Sequence, residues 1–302
     1  MGSNSRAIAQ AAADYASGGL IGMRNRIING SGLFGQRGIV ALSGANAAYG
    51  ADRWLAAVSG GSGVTANTYK SSFGGSSSLS GIWISGSFTS GVPYWAQRIE
   101  WQNTYDLNSK MVTVSGLMYQ DTGSTQNFVV RLTKANSADN FGAVTTIGVS
   151  SSIAIPSGVV TPFAAQFSLG SSDASNGIAV EIYGASPITV SGKNFAISDV
   201  VLEKGAISDP RFDWRHIGTE QALCQRYYQQ LGGGVTTAGN FLITLGLYVP
   251  MRSSPTVVTT LTSGSGASFA VWTTSQNGFT QLVQVGNNST NSSAVVTLSS
   301  EL

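Results

Sequence analysis

The sequence predicts a mainly β protein: an antiparallel jelly-roll β-sandwich with a short N-terminal helix, one linker helix and a small C-terminal β domain. Three observations predict it. Runs of alternating apolar and small residues recur through most of the chain, separated by Gly/Ser/Asn turns, which is strand chemistry. No helical pattern interrupts them between about residues 48 and 205, so βαβ units are excluded. Charged residues make up 10% of the chain, against about 25% in an ordinary soluble domain, while the hydrophobic share of 42% supplies a core. A β-rich surface this poor in charge belongs with partners or in a durable assembly.

The elements follow in order. "SRAIAQAAADYAS" is Ala-rich and helical, and marginal alone. It makes residues 1–23 an attachment segment, stopped by "GGLIGM". A short strand, "RII", meets the turn "NGSG" and opens the jelly roll, residues 24–210. "GIWISGSF" puts Ile82, Ile84 and Phe88 in alternation with small residues. "KMVTVSGLMY" places Met111, Thr113 and Ser115 on one face and Val112, Val114 and Gly116 on the other. Ser59 to Gly81 is close to low complexity and reads as a loop or a surface strand. Residues 211–234 form a linker plus a helix capped by Thr219, running to the "LGGG" stop. Residues 235–302 form the small C-terminal β domain.

Composition also excludes function classes. A net charge of +2 with no basic stripe argues against a nucleic-acid partner. One cysteine rules out an internal disulfide framework and a Cys-based zinc site. No apolar stretch is long enough for membrane insertion, and the N-terminus lacks a secretory pattern, so folding in a cytoplasm is expected.

Candidate chemistry is sparse. His216 and Cys224, the single histidine and cysteine, share one short stretch. Cys224 lies too deep in its helix for an activated thiolate and reads as a packed residue. Glu100, Asp106, Asp121 and Glu181 lie in or beside strands, but no spacing selects a hydrolytic pair. Asp52 and Asp199 are the candidate ligands for a structural calcium ion, and no other cofactor is expected. Six aromatics crowd together: Trp83, Tyr94, Trp95, Trp101, Tyr105 and Tyr119. Sugars stack C–H faces on such rings. Alternation buries every second residue of a strand, so about half of these belong to the core, and Trp83 and Trp101 are expected there. Tyr94 and Trp95, next to the turn "SGVP", together with Tyr105 and Tyr119, are the carbohydrate-binding candidates.

The ordered motifs "RNRIINGSGLFGQRG", "YGADRWLAAVSG", "NFAISDVVLEKG", "ALCQRYYQQL" and the closing "SSEL" resemble a family of bacteriophage virion proteins. These are tail-fibre or tail-associated proteins with a carbohydrate-binding-module-like jelly roll. The resemblance spans about residues 24–231. It implies a non-catalytic structural subunit of the virion, favouring the tail, assembled in the host cytoplasm as a homotrimer beside other virion proteins and recognising bacterial surface polysaccharide. It transfers no binding site: Asp52 and Arg53 are expected to bond within the fold and Trp54 to sit in the core. One departure is Gly35, which stands between the aromatic and "QRG". A capsid decoration, collar or fibre-base subunit is the architectural alternative, and a polysaccharide depolymerase the enzymatic one.

Overall fold

The computed structural model describes residues 24–43, 47–69, 80–208, 212–235, 239–246, 249–263, 267–285 and 292–302. The expected N-terminal helix lies outside the described residues. The first strands are β1 (Val40–Leu42), β2 (Ala48–Ala51), β3 (Trp54–Val58), β4 (Ser62–Tyr69), β5 (Gly81–Gly91) and β6 (Pro93–Ile99). Two 3-10 turns, Trp101–Asn103 and Tyr105–Leu107, lead to β7 (Met111–Gln120), β8 (Gln126–Ser137) and β9 (Asn140–Val149). Then follow β10 (Ile153–Ile155), β11 (Thr161–Ser168), β12 (Ile178–Gly184) and β13 (Ile188–Lys204). One sheet has the order β1-β4-β5-β13-β7-β11; the other runs β10-β8-β12-β6-β3-β2, with β9 on β8. The chain crosses repeatedly between the sheets, and every pairing is antiparallel, so this is the predicted jelly-roll sandwich.

Its core comes from the alternation legible in the sequence. Ile82, Ile84, Val112, Val114 and Met118 point inward from the first sheet, and Val130, Leu132, Val180 and Ile182 from the second. Aromatic rings bridge the layers. Phe88 and Phe195 meet edge-on at 4.9 Å, Phe195 reaches Phe128 at 6.1 Å, and Phe128 reaches Trp95 at 6.4 Å. Such contacts add about 0.5–1.5 kcal/mol each beyond their area burial.

The "RII" segment is not a strand. It runs beside β13, where the Arg26 amide donates to the Leu202 carbonyl at 2.9 Å, and side chains satisfy most of the remaining backbone groups. Gln97 accepts from the Ile28 amide at 2.7 Å and donates to the Ile28 carbonyl at 2.7 Å. Asn25 Oδ1 takes the Ile27 and Leu202 amides. Asn29 turns the chain in a left-handed conformation, φ 57°. Its amide group donates to the Phe34 and Asp52 carbonyls and accepts from the Phe34 amide. The Asn29 carbonyl accepts from the Trp54 indole at 3.0 Å. Gly35 is needed because a Cβ there would meet Thr68 Oγ1 at 2.6 Å.

The helix α1 spans Ile217–Gln225. His216, not Thr219, is its N-cap: the imidazole Nδ1 accepts from the Gly218 amide at 3.2 Å. Nor does α1 reach "LGGG". It ends at Gln225, because Tyr228 already pairs with Ser299 in a new sheet. That sheet joins β14 (Tyr228–Val235), β19 (Ser292–Ser299) and β16 (Thr256–Ser263). A second three-stranded sheet joins β15 (Gly239–Gly246), β18 (Gly278–Val285) and β17 (Ala267–Ser275).

Asn29→Ala is expected to cost about 3 kcal/mol, since a non-glycine residue in that conformation keeps the strain of ~1 kcal/mol or more while three side-chain hydrogen bonds vanish. Urea unfolding read by tryptophan fluorescence checks it; a loss below about 1 kcal/mol would contradict the assignment.

Candidate functional site

Two groups of side chains stand out: a buried polar seam and an aromatic row on the outer face of a sheet, where Tyr69 is exposed and Trp83 and Tyr119 are half-buried. The seam lies where residues 226–302 meet the jelly roll. Only three residues from 226 onward carry charge: Arg226, Arg252 and Glu301. All three pair with the jelly roll. Arg226 and Arg252 converge on the buried Glu100 at 3.2 and 2.7 Å, and Arg252 also reaches Asp139 at 3.5 Å. Glu301 binds Arg53 and, at 3.2 Å, Arg37.

The tyrosines of "QRYY" complete the seam. The Arg53 guanidinium lies 3.5 Å from the Tyr227 ring centroid, and Arg37 lies 3.6 Å from that of Tyr228. Burial works against the Arg53 charge, but Glu301 and the two tyrosines Tyr227 and Tyr49 outweigh it, so its pKa is raised. Burial pushes the Tyr227 hydroxyl up to about 12. The two Leu302-directed donors, Tyr49 Oη at 3.2 Å and Arg98, both bond its carbonyl. Four of the five motifs that carry the family resemblance, all but "NFAISDVVLEKG", therefore meet at one place.

This seam accounts for Asp52. Its carboxylate accepts from the Gln36 amide at 3.1 Å and the Gln36 side chain at 2.7 Å, with Arg37 at 3.8 Å. Burial raises its pKa, and the Gln36 bonds pull the other way. Asp199 sits elsewhere, in a left-handed position (φ 51°) at the bulge of β13, accepting from Ser198 Oγ at 3.3 Å. The two candidate calcium ligands take different hydrogen-bond partners. Among the described residues no group of three or more His, Cys, Asp or Glu side chains assembles.

Cys224 faces inward from α1 against Ile28 and Tyr227, while His216 is exposed and holds its own cap. Burial raises the thiol pKa well above its ordinary value. The four carboxylates also have separate partners. Glu181 takes Arg131 and Thr133, Asp121 takes the Asn194 amide and side chain, and Asp106 takes Arg26. Glu100 takes Arg226 and Arg252, as above.

The aromatic row lies on the outer face of the first sheet. Parity puts it there: Ile82 and Ile84 fill the core, so Trp83 must face out. Register sets Trp83 opposite Ala196, with Tyr119 on the far side of Ala196 and Asn67 beside Trp83. Tyr69, 55% exposed, closes the row at the edge of β4. Ring centroids are 5.9 Å apart for Tyr69–Trp83 and 5.7 Å for Trp83–Tyr119. A parallel row of Thr65, Ser85 and Asn194 supplies hydroxyls and an amide, and Asp121 stands at its end. The small Ala196 lets both large rings approach. The arrangement can stack an extended, hydroxyl-rich ligand and hydrogen-bond its edge.

The predicted sugar-binding residues thus divide. Tyr119 belongs to the row. Trp95 does not bind at a surface: it is fully buried, because β6 begins at Pro93 and carries it into the core. Tyr94, one residue earlier, is half-buried on the outer face of the second sheet, 6.3 Å from Tyr183. Burial and then Glu181 raise its pKa. Tyr105 is 60% exposed on a 3-10 turn beside Trp101. Two expectations reverse: neither Trp83 nor Trp101 is a core residue. Sequence reading missed Tyr69, which lies in the low-complexity stretch, although its parity with Asn67 was available.

No protein-family model matches the chain. No curated protein matches it either. Among solved structures, a putative sugar binding protein from Bacteroides thetaiotaomicron shows 13% identity and a TM-score of 0.38, over 60% of this chain and 99% of that one. The enzymatically active domain of tailspike protein 4 from bacteriophage CBA120 shows 14% identity and a TM-score of 0.39, over 60% of this chain and 21% of that one. The CBM22-1–GH10 modules of Clostridium thermocellum xylanase 10B, complexed with xylohexaose, show 16% identity and a TM-score of 0.35, over 54% of this chain and 28% of that one. The tailspike and xylanase matches thus cover well under half of those chains. Likeness at this level carries no function across, so function is read from side chains.

Native Cys224 is expected to resist alkylation by iodoacetamide at pH 8, where an ordinary thiol reacts, and to react fully in 6 M guanidinium chloride, as mass spectrometry would show. Rapid native labelling would contradict the buried placement.

Proposed function

We propose that this chain is a bacteriophage virion subunit, in or beside the tail, that recognises host-surface glycan through the Tyr69–Trp83–Tyr119 row. The observation that carries the glycan reading is this row of three rings on a rigid sheet, edged by Thr65, Ser85, Asn67 and Asn194. Rings give sequence-tolerant stacking at low entropy cost, since the β-sheet fixes their spacing before the ligand arrives. The neutral hydroxyls and amides exchange hydrogen bonds with sugar hydroxyls. The virion reading is supported by the family resemblance of residues 24–231 and by the low surface charge.

In this reading the protein works by binding and not by cleavage. What supports that is the dispersal of the carboxylates, each tied to a different partner. Self-association into a trimer, with neighbouring virion proteins, would place several rows side by side. Weak single-site binding then gains avidity from effective concentration.

Trp83→Ala is expected to weaken binding to purified host polysaccharide at least about tenfold, the scale of losing a central aromatic anchor. Ligand-affinity electrophoresis across surface polysaccharides, host strain included, measures it. The circular dichroism spectrum should match wild type, because the ring faces outward and its loss opens no cavity in the core. Wild-type silence across all polysaccharides would overturn the glycan reading and leave an architectural subunit. Undiminished binding by the variant would move the site elsewhere.

A further inference from the structure

A second aromatic site stands at the other end of the jelly roll. Trp101 and Tyr105 are 36% and 60% exposed, with ring centroids 6.4 Å apart and planes at 81°. They form a right-angled corner, not a flat row. The turn under them is held firmly. The Trp101 amide donates to Asp139 Oδ1 at 2.9 Å, and Thr104 Oγ1 donates to the Ala174 carbonyl at 2.9 Å. Leu107 is locked in the core. Gly177 passes so close that a Cβ would meet the Ile99 carbonyl at 2.8 Å and the Trp101 amide nitrogen at 3.4 Å. Two large rings are thus kept partly in water by a rigid frame, where a flexible turn would fold them away.

Asp106 follows Tyr105 in the same 3-10 turn, and its side chain is 44% exposed. Arg26 bonds its Oδ2 at 2.8 Å, and Lys204 approaches the same oxygen at 3.8 Å. Its Oδ1 has no partner among the described residues, so a fixed, charged acceptor faces outward with two cations behind it. Lys204 pairs with Val112, whereas Ala196 pairs with Tyr119. That register sets Lys204, which reaches Asp106, about 23 Å along β7 from Tyr119 of the aromatic row.

We infer that this corner is a second ligand site, which holds a single pyranose. The sugar lays its C–H face on Tyr105 with an edge against Trp101. One of its hydroxyls donates to Asp106 Oδ1, a charge-assisted bond stronger than a neutral one. Arg26 and Lys204 hold the carboxylate in place. A corner of two rings bounds a ligand on two sides, so it reads one sugar residue where the row reads a stretch of chain. The site needs none of the residues Tyr69, Trp83 or Tyr119.

Saturation-transfer NMR on the full chain tests this with methyl glycosides of glucose, galactose, mannose, rhamnose and N-acetylglucosamine. At least one should receive saturation from wild type and from Trp83→Ala. The same signal should fall at least fivefold in both Tyr105→Ala and Asp106→Asn, with circular dichroism unchanged; both side chains are exposed enough for these variants to fold. Silence from every glycoside on wild type overturns the inference. So does a signal that survives both corner variants, and one that disappears with Trp83→Ala places the sugar on the row instead.

Discussion

Arg53 and Glu301 bury opposite charges where the jelly roll meets the C-terminal sheets, with side chains only 2% and 6% exposed. Each would be costly to bury alone, and the rest of the seam follows from that requirement. Tyr227 covers the Arg53 guanidinium, and Arg37 binds the other Glu301 oxygen while Tyr228 covers Arg37. Gln36 then satisfies Asp52 and bonds the Tyr228 carbonyl at 3.1 Å. A pair of this kind adds little net stability against an apolar substitute. It does select one docking geometry, because any shift would leave a charge unmatched.

The seam also explains a division of labour within the sequence. The motifs that stand out by eye, "NGSG", "GQRG", "ADRW" and "QRYY", contain polar and aromatic residues that look functional. Here they bond one another across the interior. The residues on the outer sheet face sit in undistinguished text, one alternation step away from core positions. Since residues 226–302 use all three of their charges on docking, electrostatics in that segment serves assembly of the chain.

The β-sandwich was legible because period-two alternation reports burial directly, as in Ile82/Ile84 and Val112/Val114. Trp83 was expected in the core, yet the parity that buries Ile82 and Ile84 places it outside; the neighbours' parity is the stronger signal. Trp95 misled in the opposite way. "SGVP" reads as a turn, but Pro93 opens an interior strand, where proline is tolerated at the first position. The helix end was hidden because Tyr227 and Tyr228 continue the helical spacing. Only their long-range partners, Arg53 and Arg37, show why the chain leaves the helix there. His216 was invisible as a cap because imidazole is an uncommon cap acceptor beside a threonine. Tyr69 was lost in a stretch of small residues whose register only the paired strands reveal.

The central claim is that the seam makes the jelly roll and the C-terminal sheets one cooperative unit. Differential scanning calorimetry of the wild-type chain and of Glu301→Gln tests it most directly. A single transition is expected for wild type, with calorimetric and van't Hoff enthalpies equal. In Glu301→Gln, Arg53 keeps its burial and loses its counter-charge, a loss of about 3–5 kcal/mol, so the C-terminal sheets should melt first and a second transition should separate. Two resolved transitions in wild type, or an unchanged single transition in the variant, would contradict the account.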